Sequence, residues 1–368
     1  LKTTLLVLNI CRLISLDNRK FLFLYILFIK SLSHFYYRPK ITVDLFKQMN
    51  NSINNLITGD IVEVLQPKEI LKSLDLNGQL DGLPFMPEMV PYCGKKFKVL
   101  LKVEKTCVTC LFPNDQVKTK IKEFIHDDIV FLKDLRCSGI DHGNCQRGCM
   151  IFWKQSWLKK VNESSAETSV NLVDFIKLKN SIKTEKSENK YVCQSTELKV
   201  MTRYISSYKR VLKIFKEIVY NRLNILEAIK SVILPGWRKI NKTPQPKGLL
   251  GKTPVEYLNL MPGELIEVKS YNEILHTLDK NGRNKGLHFT SDMKQYSGKQ
   301  FKVRNKLERM IREDTGEMQE IKNTVILEDV ICSFPYRFAG CPRAEFHYWR
   351  EIWLNRVAGY EHNTKKNN

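Results

Sequence analysis

The feature that most constrains this chain is an internal duplication. Residues 59–104 (GDIVEVLQPKEILKSLDLNGQLDGLPFMPEMVPYCGKKFKVLLKVE) return without a gap as residues 263–308 (GELIEVKSYNEILHTLDKNGRNKGLHFTSDMKQYSGKQFKVRNKLE), at an offset of 204, with 22 of 46 positions identical. Self-similarity over this length means two copies of one folded module. The match resumes further on at an offset of 195, and one inserted residue within the cysteine-rich turn takes it to 196. Cys137 then falls on Cys332, Cys145 on Cys341, Trp153 on Trp349 and Trp157 on Trp353. Each module therefore covers about a hundred residues, roughly 59–161 and 263–357.

Local chemistry gives the module its elements. Ile61-Val62-Glu63-Val64 alternates as a half-buried strand does, and Pro67 suits the first turn of a short helix over Glu69–Leu74 that Asn77-Gly78 stops. The segment GLPFMPEMVP (82–91) is too proline-rich for regular structure and reads as a loop pinned by Phe85, Met86 and Met89. A long strand follows from Gly94 through KKFKVLLKVEK, then a second at 128–136, a cysteine-rich turn at 137–149 and an aromatic segment at 150–161. Short strands joined by Gly/Pro loops predict a mainly β chain of two small SH3-like barrel units with a helical insertion joining them.

Outside the modules the pattern changes. Residues 1–42 read as an apolar leader whose two runs, 4–15 and 21–29, are divided by Asp17, Asn18, Arg19 and Lys20. Neither run reaches the roughly 20 residues of a membrane span, so membrane contact through 4–29 is the lesser expectation and a cytoplasmic protein the greater. The first unit is assigned 43–161, with a short helix leading in over 43–57, and the second 259–357. Between them, 162–258 reads as linker at both ends around a helix with apolar residues at Tyr208, Val211, Leu212, Phe215, Ile218, Val219 and onward to Ile233. Residues 358–368 are expected to be a disordered tail.

The net charge of +21 invites a polyanionic partner, and the central helix is basic enough to suggest nucleic acid. Most of the excess is scattered lysine without dense blocks, which a solvated surface explains equally well. Ten cysteines say more. A large lysine-rich chain is not a disulfide scaffold of the small secreted kind, so reduced thiols, some of them metal ligands, are expected.

The leading ligand set is Cys107, Cys137, Cys145 and Cys149, with His142, Cys110 and Cys193 as alternates. Thiolates bind zinc tetrahedrally or hold an iron–sulfur cluster, and Gly139, Gly143 and Gly148 let the backbone wrap an ion. Four protein ligands leave zinc no open position, which implies a structural role. The second unit keeps only Cys332 and Cys341, with Ile311 in place of Cys107 and Glu345 in place of Cys149. Trp153, Trp157, Trp349 and Trp353 either close a core or form a stacking platform for a ligand. Walker, HExxH, GxSxG and dinucleotide motifs do not occur.

With GDIVEV, EILKSLDLNGQLDGLPFMPEM, YCGKKFKV, LRCSGIDHGNCQRGCMIFWK, YVCQSTEL and YWREIWLNRV on the page, the chain resembles an uncharacterised bacterial family of tandem-unit proteins over most of 56–357. The resemblance implies the two-unit architecture and no activity. The second unit departs from it, since LHFTSDMKQYSG lacks the proline and cysteine of the first. The GDIVEV strand and the later Tyr-x-Gly strand look like SH3-like barrels such as the nitrile hydratase small-subunit domain, at the level of fold. Together these readings predict a non-catalytic binding or accessory protein with a structural zinc. An iron–sulfur redox protein or enzyme and a nucleic-acid-binding protein are the alternatives.

Overall fold

Alternation in Ile61–Val64 and in Leu265–Val268 builds the central strand of each repeat: Val62, Val64, Ile266 and Val268 are fully buried while their neighbours are not. The computed structural model describes residues 56–111, 117–164, 167–206, 245–332 and 342–357, with the side chains of 109–111 and 117–119 left out. The described residues fall in one compact unit that begins at Leu56. The apolar leader, most of the 43–57 helix, the basic helix from Tyr208 to Ile233 and the tail lie outside the described residues. No described helix is long and apolar enough to cross a membrane.

The chain is mainly β, and its two repeats form two curled half-barrel sheets. In the first, Ile61–Val64 lies between Lys96–Lys102 and Leu158–Lys160, and the sheet continues through Ile129–Arg136 to Met150–Lys154. The second repeats that order with Leu265–Val268 between Gln300–Lys306 and Leu354–Arg356, then Thr324–Ile331 and Phe346–Arg350. Even the irregularities recur. The register slips between Val99 and Leu101 in one sheet and between Val303 and Asn305 in the other.

The connection after the first strand is built the same way twice. Pro67–Ser73 starts with proline and is capped by Glu69, whose carboxylate accepts from the Gln66 N–H at 3.0 Å. Ser270 and Glu273 form the matching cap on Tyr271–Leu275. Asp75 Oδ1 accepts from the N–H groups of Asn77 and Gln79, and Asp279 does so for Asn281 and Arg283. That turn requires a left-handed residue, which Gly78 (φ +72°) and Gly282 (φ +73°) supply.

Three expectations change. The proline-rich segment is regular: Leu83–Pro84 pairs with Gln79–Leu80, and Pro87–Tyr92 forms a 3-10 turn because Pro87 stands where a first-turn proline loses no hydrogen bond. The long strand after Gly94 is two strands, Lys96–Lys102 and Lys105–Leu111, the second of which turns away to pair with Val117–Phe124. Residues 162–190 are not plain linker. Asn171 caps a helix at Leu172–Ser181, which buries Leu178 and packs on Pro67–Ser73; one buried apolar position left little trace in so polar a segment.

Each core closes on a phenylalanine between two tryptophans. Phe85 meets Trp153 and Trp157 edge-on at 6.2 and 5.1 Å, and Phe289 meets Trp349 and Trp353 at 6.2 and 5.3 Å. The buried indole N–H of Trp157 donates to Ser73 Oγ (3.1 Å) and that of Trp353 to Thr277 Oγ1 (3.0 Å). Removing either hydroxyl orphans a buried donor. Ser73→Ala and Thr277→Val should each destabilise by about 1–3 kcal/mol in urea unfolding, and a loss within error of zero would show that the indoles do not depend on them.

Candidate metal centre

The turn at 137–149 is tied at its base by Cys137 N–H donating to Cys149 O (2.8 Å) and folded back by Cys145 N–H donating to Gly139 O (3.1 Å). A Cβ at Gly139 would stand 1.9 Å from the Cys145 carbonyl, so only glycine permits this closure. The closure buries His142 at 1% exposure against the 3-10 turn at Pro87–Tyr92, which presents Glu88 from the other side.

Glu88, Cys137 and His142 form the one group of three or more His, Cys, Asp or Glu residues among the described residues whose ligand atoms all lie within 4.8 Å of one another. His142 Nδ1 is 2.7 Å from Glu88 Oε1 and Nε2 is 3.0 Å from the Val192 carbonyl oxygen. A carbonyl only accepts, so Nε2 carries a proton and Nδ1 is the nitrogen turned to the carboxylate and the thiol. Histidine ligands of metals are commonly oriented this way, one nitrogen anchored on a backbone carbonyl and the other facing the ion. Glu88 Oε2 is buried and has no hydrogen-bond partner. The three residues can hold a metal ion.

The thiols gather around a neighbouring cavity of about 30 Å³, lined by Cys137, Cys145, Cys149, Cys193 and His142 and closed by Ile311 of the second repeat. Three of the four leading cysteines therefore meet there, with two of the alternates. Cys107 does not: it sits inside the strand Lys105–Leu111, and its carbonyl accepts from Arg343 at 3.0 Å. The side chain of Cys110 and all of Cys341 lie outside the described residues. A cavity this small takes an ion or water and no organic substrate.

Burial pushes the Cys193 thiol up to about 12, with Cys149 adding to it, and burial likewise raises Cys137, where Glu88, Cys149 and Cys193 contribute. Cys145 is raised for the same first reason, and Cys93, away from this cavity's lining, is pushed to about 12. Thiols of this kind are poor nucleophiles without a metal. Nor is there a relay to activate Cys137, since the two ring nitrogens of His142 are committed to Glu88 and Val192.

Glu88 was not legible as a ligand. Its only signal was an acid alone in an apolar run, matched by Asp292 in the second copy. Asp292 meets a histidine too, His347 Nε2 at 3.1 Å from Oδ2, although His347 arrives from the strand Phe346–Arg350 and not from the turn. The four tryptophans are fully buried, which overturns the stacking-platform reading: their faces are used in packing and present no surface to a ligand.

Burial would raise the Asp292 carboxyl, but the His347 contact and the Thr290 hydroxyl hold it below its usual value. A depressed carboxyl contributes stability above the unfolded value of about 3.9 and loses it as pH falls through the lower folded value. Asp292→Asn should therefore lower the melting temperature at pH 7, with the deficit shrinking as the pH drops below about 3.9; a deficit independent of pH in thermal melts would contradict the pairing. No protein-family model, curated protein or solved structure matches the chain.

Proposed function

We propose that this is a non-catalytic binding or accessory protein whose first repeat is held in shape by a structural metal ion. Zinc suits the donors best, since imidazole, thiolate and carboxylate are its usual ligands. Glu88, Cys137 and His142 supply three of them; Cys145, Cys149 and Cys193 lie outside the 4.8 Å group and line the adjoining cavity, from which one thiol would move in as the fourth ligand. The observation that carries the reading is the burial of this mixed donor set with His142 Nε2 already engaged by Val192. Tetrahedral bonds of the usual zinc length separate nitrogen and oxygen ligands by roughly 3.3 Å. The present 2.7 Å between His142 and Glu88 needs only a small side-chain rotation to open that far.

The repeats are read as SH3-like barrels. The strand order supports this, together with the 3-10 turns at Gln155–Trp157 and Glu351–Trp353 that precede each closing strand. Such a frame binds a protein or polyanionic partner through its surface and leaves the buried ion to stabilise it.

Elemental analysis of the purified chain tests the proposal, with one colourless zinc per chain expected. Brown protein with iron and labile sulfide would replace it with a redox reading, and metal-free protein would remove it. Cys137→Ser should abolish zinc binding and destabilise the first repeat by more than about 2 kcal/mol, whereas Cys332→Ser should stay within about 1 kcal/mol. Equal small effects of the two substitutions on chemical unfolding would count against the site.

A further inference from the structure

The turn that carries the proposed ligands is also the turn on which the second repeat rests. His142, Cys145 and Cys149 alternate along it with residues that reach across. Gln146 N–H donates to Arg309 O at 2.9 Å, and Gln146 Oε1 accepts from the N–H groups of Glu308 (2.6 Å) and Arg309 (3.1 Å). Arg147 reaches Glu345 at 2.8 Å and the Ile311 carbonyl at 3.3 Å. Cys145 Sγ itself accepts from the Ile311 N–H at 3.4 Å, and the Ile311 side chain closes the cavity.

Little inside the turn holds it in this form. It contains no helix or strand, and Gly139, Gly143, Asn144 and Gly148 all take positive φ. Ordering such a segment costs roughly 1–2 kcal/mol of backbone entropy per residue. An ion gripping Cys137, His142 and a cavity thiol fixes both the base and the crown of the turn. Gln146 and Arg147, in sequence between two of the candidate thiols, are fixed along with them.

We propose that the bound divalent cation governs the docking of the second repeat on the first, so that metal loss releases residues 308–313 from the turn. This rests on the metal site proposed above. Zinc is the ion that binds, and the second repeat is what it regulates.

Hydrogen exchange on the full chain, zinc-loaded and chelated, tests this with two readouts. Chelation should raise exchange at the amides of Glu308, Arg309 and Ile311 by about tenfold or more, while Thr324–Ile331 in the core of the second repeat keeps its protection. Gln146→Ala should retain one zinc per chain and raise exchange at Glu308 and Arg309 with zinc still bound. Protein that binds zinc but shows unchanged exchange at 308–311 after chelation overturns the docking proposal and leaves the structural metal standing. Protein that binds no zinc overturns both. Unchanged exchange at Glu308 and Arg309 in Gln146→Ala overturns the role given to the turn.

Discussion

Where the repeats meet, buried Arg343 and Glu313 and the partly buried Arg147 and Glu345 neutralise one another, because leaving a buried charge unpaired would cost several kcal/mol. Arg343 reaches Glu313 at 2.8 Å and Glu345 at 2.6 Å, and Arg147 reaches the same two carboxylates at 3.5 and 2.8 Å. Burial works against both guanidinium charges, and the surrounding carboxylates and thiols outweigh it. Arg343 also donates to the Cys107 carbonyl and to Ser195 Oγ, so one side chain of the second repeat ties together two separate segments packed on the first. Shifting any of these elements breaks a charge pair, so the network favours the docked arrangement.

That constraint explains how segments outside the sheets are fixed. The stretch 192–197 lies along the first repeat because Gln194 accepts from Phe152 N–H and donates to the Phe152 and Pro84 carbonyls, with Met89 Sδ a further contact at 3.5 Å. This places Val192 under His142 and Cys193 against the cavity. Ser195 Oγ receives Arg343 and lies 3.6 Å from Cys149 Sγ. The candidate metal centre is thus assembled from three stretches distant in sequence, and its edge is shared with the charge network.

Much of the fold was legible because the chain states it twice. The strand at 61–64, the capped helix after it, the Asn-Gly turns and the paired tryptophans each rest on local chemistry that the second copy confirms. What stayed hidden depended on tertiary contacts. Cys107 and Cys149 seemed equivalent ligands in sequence, yet the split of the long strand at Val103 carries Cys107 into a separate hairpin. Gln194 and Val192 carry no motif, and their roles follow only from where 192–197 is laid down. Glu88 is a buried acid in a 3-10 turn that proline content disguised as a loop.

The two copies also show what the shared frame demands and what it leaves free. An acid at position 88 or 292 points into the module interior in both, and a buried acid needs a cationic or donating neighbour. The first copy supplies His142 from a turn, whereas the second supplies His347 from a strand, at the place where the first has Ile151. Each acid thus faces a histidine brought in from a different element. The thiols are different, since in the second copy two of their positions carry Ile311 and Glu345. Both substitutions now serve the junction, one closing the cysteine-lined cavity and the other pairing with two arginines. The two positions that lack sulfur in the second repeat are therefore the ones that contact the sulfur-bearing turn of the first.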